Sequence, residues 1–237
     1  MNLILVGCEY AGKTTLVNEI VKWRDSTMGP PTPLGMTPHD HFTLPWVGHR
    51  DEIPEEDFEK FMALGPALKE MFQRYQFAYH LSLILYRDSD HILVGFHIED
   101  AVYAPLYYGY GGPGEYGDRA SLARHTEAEI LEKAPDTVLV LVKAGAEVIA
   151  DRMRKDPHRR GVLKEKDIEF VLERFEYHYA HSLLRYKFTL DTSKATVAET
   201  TQQFVDDMEP HLGQADRMRI QTHRPPQAAT QISGDIL

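Results

Sequence analysis

The stretch Gly7-Cys8-Glu9-Tyr10-Ala11-Gly12-Lys13-Thr14 fits G-x-x-x-x-G-K-[ST] at every position, and no other stretch constrains the fold as strongly. Average residue usage would produce the pattern by chance in roughly one chain of this length in a hundred. Its setting is specific too. The apolar run Leu3-Ile4-Leu5-Val6 precedes it, and Leu16, Val17, Ile20 and Val21 follow at helical spacing. The pattern therefore joins a buried strand to an amphipathic helix. Glycine lets the backbone curl until successive N–H groups point at one centre, where an anion gathers them. The helix starting beside Lys13 turns its positive dipole end toward the same anion. Lys13 supplies a point charge for β and γ phosphates, and Thr14 a hydroxyl for Mg²⁺. Gly7, Glu9, Tyr10, Ala11, Gly12 and Thr15 complete the cradle. Cys8 reads as a small filler of the loop, although amide dipoles could instead lower its thiol pKa.

Strand-like apolar runs and helical patterns alternate along the rest of the chain, with no internal repeat. This order predicts an α/β fold of three layers: a parallel, five-stranded sheet with helices on both faces. The strands are expected at Leu3–Val6, within the proline-rich stretch Ser26–Thr37 (a loop or short strand), at His91–Ile98, at Thr137–Val142 and at Phe188–Leu190. Helices are expected over 13–24, over Glu55–Tyr86 with a break at Pro66, and over 120–133, 145–155, 166–179 and 196–211. After Gly213 the residues are polar, so residues 1–212 read as the domain and 213–237 as a flexible tail.

Lys and Arg number 26 against 36 Asp and Glu, a net charge of −10, which disfavours duplex nucleic acid or an anionic membrane as the main partner. Cys8 is the one cysteine, so no internal disulfide framework exists and a cytoplasmic location is expected. No apolar run approaches the roughly 20 residues that span a bilayer.

Between Arg152 and Arg160 five Lys and Arg side chains cluster in this acidic chain: Arg152, Arg154, Lys155, Arg159 and Arg160. Phosphoryl transfer spreads negative charge over equatorial oxygens, and cations on a closing segment suit it. An Arg-rich lid over about 155–167 is the expectation, and a solvated basic turn is the alternative.

The phosphate loop, the strand running to Glu99-Asp100, the run from Asp136 to Arg160, the following helix and the strand before Asp191-Thr192-Ser193 together resemble the P-loop nucleoside and nucleoside-monophosphate kinases. Thymidylate kinases and deoxynucleoside kinases are similar in layout over residues 1–212. The resemblance implies ATP and Mg²⁺ as cofactors and a nucleotide or nucleoside acceptor; the oligomeric state is open, a homodimer being one option. It assigns Arg152 to the cofactor, and Arg154, Arg159 and Arg160 to the transferring group. It places Glu99, with Thr14, at Mg²⁺, although Asp100 stands where the family shows Arg. Two solvated carboxylates at a strand end remain the alternative. Family layout also turns Glu70, Arg74 and His80 toward the acceptor. The segment Thr37–Pro45 is similar to the Asp-aromatic-Pro segment of uridine-kinase-like enzymes, which makes Asp40 the base or orienter for an acceptor hydroxyl, or else part of a turn. His39 and His41 lack further ligands and carry little weight as a zinc site.

Tyr103, Tyr107, Tyr108, Tyr110 and Tyr116 surround a glycine-rich stretch and suit either stacking on a planar ligand or packing over the sheet. Gly109–Gly114 fits G-x-G-x-x-G formally, without the strand-to-helix setting that the pattern needs. His178 and His181 read as a solvated helix face, and Trp23 and Trp46 as packing residues. A kinase of another small hydroxyl metabolite is the near variant. A nucleotide-hydrolysing switch is the rival from another class, and the sequence contains no N-K-x-D for guanine.

Overall fold

Three continuous apolar runs and one alternating segment of the chain form four parallel strands. The computed structural model describes residues 1–29, 54–86 and 90–223, and the strands are β1 (Asn2–Val6), β2 (His91–Val94), β3 (Val138–Lys143) and β4 (Tyr186–Asp191). They lie in the order β2-β1-β3-β4. Leu3 of β1 stands between Ile92 of β2 and Val138 of β3. A parallel strand with neighbours on both edges and helices on both faces has no solvated side, and Leu3, Leu5 and Val6 are fully buried.

The helices are α1 (Lys13–Met28), α2 (Glu55–Met62), α3 (Pro66–His80), the short α4 (Leu83–Tyr86), α5 (Phe96–Tyr103), α6 (Arg119–Lys133), α7 (Ala146–Lys155), α8 (Ile168–Ala180), α9 (Val197–Met208) and α10 (Gln214–His223). One group consists of α1 packed against α9 and α10; the other has α5 against α6 and α8, with α7 also on α8. The sheet lies between these layers. Among the described residues, no helix is long and apolar enough to cross a membrane.

The fold departs from expectation in four places. The sheet has four strands among the described residues rather than five. The extra strand was expected within Ser26–Thr37, but Ser26, Thr27 and Met28 end α1, and 30–37 lie outside the described residues. The helix runs past Arg24 because both Arg24 and Met28 are buried. Second, the strand expected to reach Ile98 stops at Val94. Gly95 (φ 88°) and Phe96 (φ 57°) turn the backbone into α5, so Glu99 and Asp100 stand on a helix.

Third, the stretch after Gly213 begins as α10 rather than as a loose tail. Arg219 of α10 reaches Asp90 at 3.0 Å. Asp90 also accepts from the Met1 ammonium at 3.1 Å and pairs with Arg24 at 3.3 Å, while Asp216 of α10 accepts from the same ammonium at 2.9 Å. Removing one partner from such a buried cluster costs about 3–5 kcal/mol. Fourth, His178 is not solvated. It is buried beside Arg174 at 3.0 Å, and burial, with that cation, pushes its imidazole down to about 4. The break expected at Pro66 is present: the proline takes the first position of α3, where its missing N–H costs nothing.

Candidate active site

The phosphate-loop sequence occupies the C-terminal end of β1, at the centre of the sheet. Gly7 passes so close to β3 that a Cβ there would overlap the carbonyl of Val142, so the turn needs glycine at this point. Tyr10 has φ 64°, an unusual setting for a bulky side chain. Gly12 (φ 93°) then opens α1, which has neither a side-chain cap nor an acidic residue in its first turn. Nothing in the local sequence therefore competes with an external anion at this helix end. Thr14 and Thr15 are exposed on that first turn. The Lys13 side chain is buried, and its ammonium donates to the carbonyls of Gly7 and, at 3.2 Å, Cys8. Cys8 lies under the loop with its thiol pushed up to about 12 by burial, which favours the filler reading over a reactive thiol.

The helix after β2 contributes the acid. Glu99, on the first turn of α5, brings a carboxylate oxygen to 3.4 Å from the Lys13 ammonium. It does so through space left by Gly95, where a Cβ would overlap that carboxylate. Its neighbour Asp100 faces another way. Asp100 is buried against Arg119 of α6 at 3.0 Å and accepts from the Tyr110 hydroxyl at 3.0 Å. Arg119 is itself buried, and it bridges to Glu70 of α3 at 3.2 Å; Glu70 holds Arg74 at 2.8 Å. Arg119 stands on α6, 19 residues after Asp100 in the sequence. No local pattern marks Arg119 in advance. His80, at the end of α3, is buried and packs edge-on at 5.7 Å from the Phe96 ring.

The tyrosines divide. Tyr103, Tyr108 and Tyr110 are buried, and the Tyr103 hydroxyl accepts from the backbone N–H of Glu9 at 2.9 Å, which ties α5 to the phosphate loop. For these three, packing is the observed role. Tyr107 donates to Asp167 at 3.0 Å. Tyr116 is 86% exposed and lies over the Arg74 guanidinium at 5.0 Å.

The arginine cluster spans the end of α7 and the turn after it. Arg152 donates to the carbonyl of Tyr10 at 2.9 Å and to the hydroxyl and carbonyl of Thr192 at 3.0 and 2.7 Å. It fastens the phosphate loop to the turn after β4. Arg154 pairs with Glu165 at 2.6 Å. Arg159 and Arg160 each reach Glu55, at the start of α2, at 3.1 Å, and Arg160 also covers the Phe58 ring at 4.3 Å. The structure thus brings Lys13, Glu99, Thr14 and Arg152 around one loop, with Arg154, Arg159 and Arg160 held by carboxylates at its margin. Asp40, with His39, His41 and Trp46, lies outside the described residues. The sequence pattern gives no sign of the contacts made by Arg119, Thr192 and Glu55, whose partners are distant in sequence.

A cavity of about 220 Å³ opens at the ends of β3 and β4, bounded by Cys8, Lys143, Phe175, Glu176, Asp191 and Ser193. Ligands of open parallel sheets bind at this edge. Among the described residues no cluster of three or more His, Cys, Asp or Glu could hold a metal ion. Mg²⁺ does not need one, because it binds one or two protein oxygens and completes its shell with phosphate and water.

Neither a family model nor a curated protein matches the sequence. Solved structures do match in fold. The YorR protein of Bacillus subtilis, in complex with phosphorylated GDP, is 18% identical over 90% of this chain and 99% of its own, with a TM-score of 0.55. Deoxyadenosine kinase from M. mycoides, with bound dCTP, is 15% identical over 89% and 100%, with a TM-score of 0.54. Thymidylate kinase from Ehrlichia chaffeensis is 13% identical over 88% and 98%, also with a TM-score of 0.54. This chain therefore has the P-loop fold that these kinases share.

Proposed function

We propose that this chain is a phosphotransferase that moves the γ-phosphoryl group of ATP to a nucleoside monophosphate or nucleoside. The observation that carries the reading is the Lys13–Glu99 pair at 3.4 Å: a cation in the phosphate loop meets an acid from the neighbouring strand's helix. A phosphate-binding loop alone serves many nucleotide proteins. A carboxylate beside its lysine adds a place for the metal and the acceptor side.

Lys13 and the first-turn amides of α1 hold the β and γ phosphates, with Gly7, Gly12 and Ala11 shaping the wall. Thr14 and Glu99 offer the oxygens that suit Mg²⁺, whose chemistry is to neutralise charge on the transferring group. Arg152 holds the loop toward the cofactor. Residues 155–167 act as the lid, and Arg154, Arg159 and Arg160 stabilise the transferring group by exchanging Glu165 and Glu55 for phosphoryl oxygens. The buried set Asp100, Arg119, Glu70 and Arg74 lies next to Glu99 on the acceptor side. The neighbours support a nucleotide or nucleoside acceptor, since their solved complexes carry phosphorylated GDP and dCTP. The lone Cys8 fits a cytoplasmic setting.

The test is ADP formation from ATP and Mg²⁺ across a panel of nucleosides, nucleoside monophosphates and small alcohols. A rate raised by one acceptor class supports the proposal and names the acceptor. A rate indifferent to every acceptor assigns the chain to the nucleotide-hydrolysing switches instead.

A further inference from the structure

We propose that Glu9 and Tyr10, at variable positions of the phosphate loop, are positioning residues whose side chains latch the backbone of residues 158–163 onto that loop. The proposal rests on the kinase reading only in naming this segment a lid. The contacts stand apart from it. Glu9 accepts from the backbone N–H of Val162 at 3.0 Å, and its other oxygen lies 3.8 Å from the His158 ring. The Tyr10 hydroxyl accepts from the backbone N–H of His158 at 3.0 Å, while the two rings stack at 4.0 Å with 20° between their planes. Gly161 lets the backbone come this near: a Cβ there would stand 3.0 Å from Glu9 and 3.1 Å from the Tyr10 hydroxyl.

Two features mark this contact as built. Tyr10 adopts a left-handed backbone (φ 64°), which a tyrosine avoids unless its surroundings impose it. Arg152 binds the Tyr10 carbonyl in this setting at 2.9 Å. The Glu9 carboxyl is sheltered enough that burial raises its pKa, so it is spent on lid amides inside the protein rather than on bulk solvent. Arg159 and Arg160 of the segment reach away to Glu55, and Arg154 before it to Glu165. To lift the segment, the Val162 bond, the His158 bond and the ring stack must break together. Displacing residues 9 and 10 must therefore move the lid as well.

Hydrogen–deuterium exchange on the full chain without nucleotide tests this directly. Glu9→Ala and Tyr10→Ala are each expected to speed exchange in 156–164 about tenfold, the loss of one amide's acceptor, and to leave β3 (138–143) unchanged. Glu9→Gln should keep wild-type protection, because its amide oxygen still accepts from Val162. Unchanged exchange in both alanine variants would overturn the latch. So would faster exchange through β3, which would make these residues general stabilisers, or Glu9→Gln exchanging as fast as Glu9→Ala, which would make charge the active property. In the phosphotransfer assay, Glu9→Ala should raise KM for ATP several-fold while changing kcat less. Exchange reports on the latch even if the chain transfers no phosphate, so the two readings fail separately.

Discussion

The phosphate loop and the corner between β2 and α5 sit on adjacent strands and meet at the Lys13–Glu99 pair, yet they are built by opposite means. The loop is made by its backbone: Gly7 and Gly12 set the path, and α1 begins without a side-chain cap. The corner is made by side chains. Glu99 fills the space over Gly95, while Asp100, Arg119 and Glu70 form a chain of buried charges. A site made by backbone leaves its mark in a few consecutive residues. A site made by side chains collects its parts from across the sequence, and it fails by parts.

The largest effect belongs to the residue where the two halves meet. Lys13→Ala removes the loop's cation and leaves Glu99 without its partner, while the glycines that shape the turn stay. Losing one preorganised charge at a transferring group lowers turnover by about a hundred- to a thousandfold. Acceptor-stimulated ADP formation should fall by that much, with the thermal midpoint moving only a few degrees. Turnover within tenfold of wild type would show that the loop works without its lysine, and the comparison would lose its meeting point.

The same contrast explains what could be read in advance. The strands β1 and β3, the phosphate loop and the break at Pro66 were legible because each depends on a short run of neighbours. The sequence pattern puts Glu99 at a strand end. Its place on α5 depends on the turn at Gly95 and Phe96, and glycine followed by phenylalanine reads equally well inside a strand. Arg119, Glu55 and Thr192 were invisible for a different reason. Each is ordinary where it stands in the sequence and gains meaning only from a partner: Arg160 lies 105 residues beyond Glu55, and Arg152 precedes Thr192 by 40. The helix at 214–223 reads as part of a tail because the groups that hold it, Asp90 and the Met1 ammonium, lie more than a hundred positions earlier.

Gly95→Ala tests whether the corner really depends on an unoccupied position. The methyl group would overlap the Glu99 carboxylate, and the backbone at φ 88° strains any residue with a side chain. Strain of this sort costs about 1–3 kcal/mol. Urea denaturation should show that loss, and turnover should fall together with that of Glu99→Gln. If Gly95→Ala keeps both stability and turnover, Glu99 reaches Lys13 by some other route.

The smallest effect is one of pH, and it also separates the two halves. Burial pushes His80 down to about 3, helped by nearby His91, and pushes His91 down to about 4, helped by the N-terminal ammonium. His80 stands by the corner, against Phe96, and His91 lies at the other end of β2. A histidine kept neutral in the folded state while the unfolded chain takes up a proton near pH 6.5 favours unfolding in acid. Its contribution is whole above pH 6.5 and shrinks as the pH falls toward 4, at about 1.4 kcal/mol per pH unit for each ring. Urea midpoints at pH 7.5, 6.5 and 5.5 should therefore hold steady over the first interval and drop over the second. His91→Gln should lessen that drop by one proton's worth. In the phosphate loop, Cys8, at about 12, stays protonated throughout this range, so amide exchange in 95–103 should quicken before exchange in 7–15. Equal quickening of both segments would mean that acid opens the sheet as a whole, and the corner would no longer be the part of the site that yields first.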